Sequence, residues 1–394
     1  MSQHPRATLG LVSIFGSTFL ELIGYFMLMP LLLFRLKADG VPDSVAGLFA
    51  ASGYLGMFLM TPFASAVTQR LGRRQTLWLA AAVPVVAAAG FGLTDALWLW
   101  FGLKILSGGA AGLRWVLAEA LIAEFSPPGQ RGRYVGIFET LVGFTFVIGP
   151  ALLAWLGTDS PKAMGWVISF LVLGLAWSLL IPALPRAADA HSARVGIGGV
   201  WHALLAHPII MLAGFVGGFF ESGMAAILPL YGLALGLGAA TAALLVSCIG
   251  LGSALTMLPA GIVADRFEQP ARGRRQLMLL FAGLTLLTCC MLPLVSLMPG
   301  ASWLLWPIVF VWGGAGGSLY TMAMIDIGTR EKGITLVNST AVLVLTYTLG
   351  GLSASSLSGA LIQWSPGLGF PLLLIAMASA GLIALLRTRH RQDI

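Results

Sequence analysis

The sequence predicts an all-α polytopic membrane protein, and three observations support that class. Of the 394 residues, 58% are hydrophobic and only 9% are charged, whereas a soluble domain carries about 25% charged residues. The apolar stretches are continuous over about 20 residues, the length of a membrane-crossing helix rather than of an alternating barrel strand. Lysine and arginine are concentrated in alternate connections, as the positive-inside rule requires.

Twelve spans are predicted, separated by clusters of proline, glycine and charged residues. They lie near residues 9–34, 44–67, 76–94, 98–122, 133–157, 164–184, 208–232, 240–262, 276–298, 302–326, 335–362 and 367–386. The polar stretch 186–207 is read as a cytoplasmic linker between two six-helix bundles, 1–185 and 208–394. Most of the 22 lysines and arginines fall on the side that holds both termini. This predicts a multi-pass protein of the cell inner (plasma) membrane with both termini cytoplasmic.

The two halves repeat each other at three places. Glu21 in F-L-E-L-I-G and Glu221 in F-F-E-S-G occupy matching positions in the first and seventh spans. The loop 65–74 after the second span matches 261–275 after the eighth. The fourth span's G-G-A-A-G-L-R-W matches G-G-A-G-G-S-L-Y in the tenth. A membrane chain built twice, with ionisable groups near its seam, is typical of a secondary transporter.

With these motifs the chain resembles the major facilitator superfamily from end to end. The family signature G-x-x-x-D-R-x-G-R-R recurs in part in both loops: the first copy has Ser65 for the glycine and Gln69 for the aspartate, and the second has extra residues before Gly273. The resemblance implies two pseudo-symmetric bundles of six helices, alternating access, and a cavity lined by helices one, four, seven and ten. It also implies a gating role for the retained signature residues, which are Arg70, Arg73, Arg74, Asp265 and Arg266. The chain is further similar to a YcaD-type or drug/proton antiporter-like branch.

Ionisable residues inside the predicted spans carry the functional prediction, because each would be strongly penalised if it faced lipid. Burial disfavours the charged form of a carboxylic acid, so Glu21 and Glu221 are predicted to exchange protons, wetted by one shared chamber. A structural ion pair between Glu21 and Arg114 is the alternative. The residues predicted to contact substrate are Glu21, Tyr25, Arg114, Trp115, Phe220, Glu221 and Tyr320.

Further acidic residues lie nearer the cytoplasmic ends of their spans. Glu119, Glu139 and Asp326 are predicted to act in gating, with Glu119 and Glu139 joined to arginines of the neighbouring loops. Close helix packing or a kink is the alternative reading of Gly149 and Pro150, which resemble an exporter signature.

These patterns predict a proton-coupled secondary active transporter that exports a small amphipathic organic molecule, a drug or metabolite, by alternating access. Proton-coupled uptake of a polar or anionic solute, with Arg114 and Lys104 as ligands, is one alternative. A non-transporting membrane sensor or lipid-handling scaffold is another, and sodium remains open as the coupling ion. Walker loops, nucleophile elbows and paired metal motifs are absent from the sequence, so neither an enzyme nor a cofactor is predicted. The expected partners are substrate, protons and lipid, without nucleic acid, and the expected state is a monomer.

Overall fold

The computed structural model describes residues 4–125, 131–158, 161–182, 201, 204–205, 208–265, 267, 270–298, 300–330 and 333–387. These residues form helices and no strand. The first half contains α1 (His4–Ala38), α2 (Asp43–Met60), α3 (Arg73–Leu93), α4 (Leu97–Phe125), α5 (Arg131–Leu156) and α6 (Pro161–Ser178). The second half contains α7 (Pro208–Gly218, Phe219–Gly223 and Met224–Ala234), α8 (Ala239–Asp265), α9 (Pro270–Leu297), α10 (Leu305–Arg330), α11 (Gly333–Trp364) and α12 (Gly369–Arg387).

Hydropathy accounts for this architecture. Ten of the described helices are long and apolar enough to cross a membrane, and α6 contains a shorter apolar segment, Lys162–Ser178. The 29-residue α4 carries buried charges and completes the twelve. The predicted all-α membrane fold is therefore confirmed. The predicted linker 186–207 lies almost wholly outside the described residues, so the boundary between the two bundles stays a prediction.

Glycine is required where the signature loop turns. A 3-10 turn, Thr61–Phe63, and a short helix, Ala64–Leu71, extend α2 to this loop. Gly72 then ends that helix with φ at +86°, a left-handed value that a side chain would disfavour. The glycine of G-R-R thus separates α2 from α3.

Glycine also sets how closely the helices cross within each half. A Cβ at Gly108 on α4 would overlap the backbone of Gly53 on α2, and a Cβ at Gly313 on α10 would overlap the backbone of Ile249 on α8. Small residues let membrane helices approach in this way. The two crossings use the matching G-G motifs, so the sequence repeat is also a repeat of packing.

Two helix pairs join the halves. On one side α2 meets α11, where Gly47 lies against Gly359. On the other α5 meets α8, where Gly143 lies against Ala254. Gly149 instead packs against the α1 backbone at Ile23. The motif that resembles an exporter signature is therefore a close-packing position. The helices α1, α4, α7 and α10 hold most of the buried ionisable side chains.

Candidate functional site

Glu21 on α1 and Arg114 on α4 form a buried ion pair. Oε2 of Glu21 lies 2.8 Å from Nη1 of Arg114, and the two side chains are 8% and 6% exposed. Neither of these two atoms makes a hydrogen bond of acceptable direction. The contact is therefore mainly Coulombic, and both groups retain unused hydrogen-bonding capacity.

Glu221 on α7 lies in a widened turn of its helix. Residues Phe219–Gly223 are π-helical, a distortion that is frequent at functional sites. The hydroxyl of Tyr54 on α2 donates to the Ser222 carbonyl at 2.7 Å, which satisfies a backbone group within this turn. Gly317 on α10 provides space for the carboxylate, because a Cβ there would lie 2.7 Å from Oε1 of Glu221.

The Glu221 carboxyl group contacts two neutral hydroxyl groups. Tyr347 on α11 donates to Oε2 at 2.9 Å. The Ser253 hydroxyl on α8 lies 2.9 Å from Oε1 and 2.8 Å from the Gly313 carbonyl oxygen. A serine hydroxyl has a single hydrogen to donate, so Ser253 serves both oxygens only when one of them carries its own proton. The pattern is complete when Glu221 is protonated at Oε1 and donates to Ser253, which donates to Gly313.

Glu119 on α4 links the two halves of the chain. Its Oε1 accepts a hydrogen bond from Nε1 of Trp115 and another from the hydroxyl of Tyr320 on α10, both at 2.9 Å. The Tyr320 and Tyr347 rings meet edge to face with centroids 4.8 Å apart. Hydrogen bonds and ring contacts thus run from Glu119 to Glu221 across the interface.

Glu139 on α5 is also buried, at 3% exposure. Its Oε1 has no hydrogen-bond partner among the described residues. The two donors to Oε1 of Glu119, Trp115 and Tyr320, are neutral. The Glu119 Oε1 thus faces the interface between the halves, and the expected pairing of Glu119 with loop arginines stays a prediction.

Lys104 on α4 is buried without a carboxylate neighbour among its described contacts. Its ammonium group lies 2.6 Å from Sδ of Met29, 3.4 Å from the Tyr25 hydroxyl and 4.6 Å from the Tyr25 ring centroid. Tyr25, predicted to contact substrate, thus shields a buried cation.

Glu21 and Glu221 do not share the predicted chamber. They lie in separate buried contacts. A cavity of about 10 Å³ is lined by Tyr25 and Ser222 among others, but by neither glutamate, and it has room for about one water molecule. A larger cavity of about 510 Å³ lies at the rim, near Ala234 and Gly300. The halves touch on both sides of Glu221, which closes the centre in this conformation.

Two further residues predicted to act in binding or gating, Phe220 and Asp326, lie in separate contacts of the second half. Phe220 is fully buried between Phe219 and Trp312 in the second half, so it packs in the core. Asp326 accepts two hydrogen bonds from Arg274 on α9, at 3.0 and 2.8 Å. Their roles in binding and gating stay predictions.

In the first signature loop, residues 65–74, Arg74 has contacts outside the loop. Arg74 stacks over Trp78 at 4.3 Å and donates to the Leu179 carbonyl at 3.5 Å. Arg70 is exposed and Arg73 half-buried. Arg266 and the side chain of Asp265 lie outside the described residues.

Sequence reasoning missed three residues that contact Glu221 or its turn: Tyr54, Ser253 and Tyr347. The available signal was chemical, because a tyrosine inside a span must find a partner for its hydroxyl. The six tyrosines of the chain were a short enough set to search. Ser253 has no comparable signal, since serine in a membrane helix usually bonds its own backbone.

Comparisons with known proteins agree with this fold. Residues 14–340 match the sequence profile of the Major Facilitator Superfamily. The MFS-type transporter YfkF of Bacillus subtilis (strain 168) is 23% identical over 331 residues, 83% of this chain and 82% of the relative. The MFS-type transporter YcaD of Escherichia coli (strain K12 / DH10B) is 24% identical over 352 residues, covering 86% and 85%. The crystal structure of the nucleoside transporter NupG (D323A mutant) superimposes with a TM-score of 0.76 at 11% identity, covering 96% of this chain and 99% of NupG.

Proposed function

Since this chain belongs to the Major Facilitator Superfamily, we propose that it is a proton-coupled secondary transporter that exports a small amphipathic organic molecule. It works by alternating access in the cell inner membrane, as a monomer with both termini cytoplasmic. Glu21 and Glu221 are the proton-coupling residues. Arg114, Trp115, Tyr25, Phe220 and Tyr320 contribute to the substrate path.

The observation that carries this proposal is the hydrogen-bond pattern around Glu221. Both neighbours of the Ser253 hydroxyl are acceptors unless Glu221 carries a proton. A neutral carboxyl group is compatible with its burial at 4% exposure, whereas an isolated buried carboxylate is strongly disfavoured. The closed conformation therefore corresponds to a proton-loaded state. Opening of the halves hydrates the carboxyl group and lets the proton leave.

Glu21 couples to the same cycle through Arg114. The ion pair neutralises both charges while the centre is closed, but it lacks well-directed hydrogen bonds. A rearrangement that separates the pair exposes a carboxylate that must be protonated or hydrated. Movement of Arg114 toward a ligand thus favours proton uptake at Glu21.

The amphipathic character of the substrate is inferred from the interface between the halves. Trp115, Tyr320 and Tyr347 present aromatic surface beside the carboxyl groups. A few polar groups within apolar walls are typical of sites for small organic molecules. Opening of the interface would expose this surface to a ligand.

A second function, uptake of an anionic solute, is favoured by Lys104. Its buried ammonium group contacts a thioether and a tyrosine rather than a carboxylate. An anion entering beside Tyr25 would supply the missing opposite charge. Anion uptake requires a negatively charged substrate, whereas export of an amphipathic molecule does not.

The test uses purified protein reconstituted in proteoliposomes. Amphipathic molecules that raise the melting temperature of the protein are assayed for flux under an imposed pH gradient. Wild type is expected to drive solute against its gradient as protons flow the other way, and Glu221→Gln is expected to lose this driven flux. The control is Asp43→Asn, the same chemical change at the peripheral Lys37–Asp43 pair. Flux that is independent of the pH gradient in wild type, or unchanged in Glu221→Gln, rejects the proposal.

A further inference from the structure

Arg74 bridges the ends of α3 and α6 on the side predicted to be cytoplasmic. Its guanidinium group lies over the Trp78 ring, 4.3 Å from the centroid, and donates a hydrogen bond to the Leu179 carbonyl at 3.5 Å. The Trp78 ring is itself held in place, because its Nε1 donates to the Ser178 carbonyl at 2.9 Å. Nε of Arg74 has no hydrogen-bond partner among the described residues. A guanidinium group carries five N–H donors, so this half-buried side chain retains the capacity to bind an anion.

The first signature loop has a surplus of positive charge. Residues 65–74 contain three arginines and no acidic residue, because Gln69 occupies the place of the aspartate in the signature. The matching loop, residues 261–275, contains four arginines together with Asp265 and Glu268. The first loop therefore lacks the carboxylates that offset part of the positive charge of the second.

The matching arginine of the second half shows which contacts are particular to Arg74. Arg275 is the last residue of its own signature copy and donates to the Leu385 carbonyl near the end of α12, at 3.3 Å. Contact with the end of the sixth helix is thus common to both halves, and a cation there complements the negative end of the helix dipole. The aromatic neighbour is not common to both, because Leu279 occupies the place that corresponds to Trp78. Helix capping explains the carbonyl contact of Arg74, but neither the Trp78 ring nor the surplus of charge.

Exposed leucines adjoin these residues along the chain. Leu79 on α3, and Leu179 and Leu180 directly after α6, are each about half exposed, and the two helices pack against each other. Lipid tails are as apolar as leucine, so these side chains can contact acyl chains. Arginine and tryptophan beside an apolar helix surface are typical of a membrane–water interface. The surface thus offers a cation at the level of the lipid headgroups and apolar contacts beside it.

We propose that Arg74, Trp78, Leu79, Leu179 and Leu180, here called the α3–α6 surface, bind an anionic phospholipid of the cytoplasmic leaflet. The headgroup phosphate pairs with the Arg74 guanidinium group, which can bind a phosphate through two parallel hydrogen bonds. The acyl chains lie on the leucines. A zwitterionic lipid gains less, because its own ammonium group already offsets the charge of its phosphate. The lipid connects α3 to α6 and is not a transported substrate, so this inference goes beyond the proposed function and does not depend on it.

The experiment measures lipid binding to the purified full-length protein in detergent by native mass spectrometry. Dioleoylphosphatidylglycerol is the probe, and dioleoylphosphatidylcholine, with the same acyl chains and a zwitterionic headgroup, is its control. We expect the Kd for phosphatidylglycerol to be about tenfold lower than that for phosphatidylcholine, the difference that one hydrogen bond between charged groups accounts for. An excess of sn-glycerol 3-phosphate, a phosphate ester without acyl chains, is expected not to displace the lipid.

Variants locate the site. Arg74→Met is expected to raise the Kd for phosphatidylglycerol about fivefold, the contribution of one arginine near an anionic headgroup. Gln69→Asp, which restores the aspartate of the family signature, is expected to raise this Kd as well, because it offsets part of the charge of the loop. The matched control Arg275→Met removes the same kind of contact with a helix end and is expected to leave the Kd unchanged. The headgroup preference is measured on wild type, so it decides the question even when Arg74→Met folds poorly.

Four outcomes overturn the inference. Equal affinity for the two lipids would show that the protein has no anionic headgroup site. An equal loss of affinity in Arg74→Met and Arg275→Met would reduce Arg74 to a helix cap. Unchanged affinity in both Arg74→Met and Gln69→Asp would place the lipid elsewhere, and displacement by sn-glycerol 3-phosphate would assign the surface to a soluble phosphate ester. Lipid binding is measured without flux, so its result and that of the transport test are independent.

Discussion

Breaking the Glu21–Arg114 ion pair is expected to destabilise the protein far more than removing it whole. The two side chains are 8% and 6% exposed with a nitrogen–oxygen distance of 2.8 Å. Glu21→Gln leaves a buried guanidinium without its carboxylate, which costs about 3–5 kcal/mol in comparable buried pairs. Arg114→Met leaves the opposite charge and is expected to cost a similar amount. The double variant leaves no buried charge, only a neutral amide beside a thioether, so it avoids the penalty for an unpaired charge.

The measurement is a double-mutant cycle of unfolding free energies from denaturant titration in mixed micelles. The double variant is expected to be more stable than either single variant, with a coupling energy of about 3 kcal/mol or more, taken from the penalty for an unpaired buried charge. Independent sites add to within about 0.5 kcal/mol. Additive losses would show that the pair is not a coupled unit, and would remove Arg114 from the account of Glu21 protonation.

Other predictions follow from single contacts. Tyr347→Phe removes a hydroxyl donor to Glu221, so pH-driven flux should fall about fivefold, the equivalent of one hydrogen bond of about 1 kcal/mol, with little change in melting temperature. Gly108→Ala should abolish stable folding, because its Cβ would overlap a neighbouring backbone. Gly102→Ala on the same helix meets nothing within 4 Å and should stabilise the protein by up to about 1 kcal/mol. Melting curves of the two variants test both expectations. Arg274→Met removes the guanidinium that pairs with buried Asp326, so unfolding should become easier by about 3 kcal/mol; a melting temperature equal to wild type would contradict this.

The fold was predictable from the sequence because hydropathy dominates it. The length of the apolar runs and the charges between them determine which segments cross the membrane, whatever the detailed packing. The repeat around Glu21 and Glu221 likewise required only the positions of rare residues. A single acidic residue in an apolar segment can be recognised from the sequence alone.

The partners of those acids were not predictable in the same way. Ser253 meets Glu221 because α8 crosses α10 at a glycine, and Tyr347 meets it because α11 packs beside α7. Such contacts depend on helix rotation and crossing distance, which hydropathy does not determine. The same limit applies to Glu119, because the sequence predicts its height in the membrane but not the direction that brings its Oε1 to the Tyr320 hydroxyl.

The central claim is that buried carboxyl groups exchange protons during transport, and driven flux tests it most directly. In proteoliposomes with a pH-sensitive dye inside, addition of a transported solute to wild type should move protons in the opposite direction. Glu221→Gln should bind the same solute without moving protons, while Asp43→Asn behaves as wild type. Proton movement of normal size in Glu221→Gln, or solute transport by wild type with no proton movement, would contradict the account.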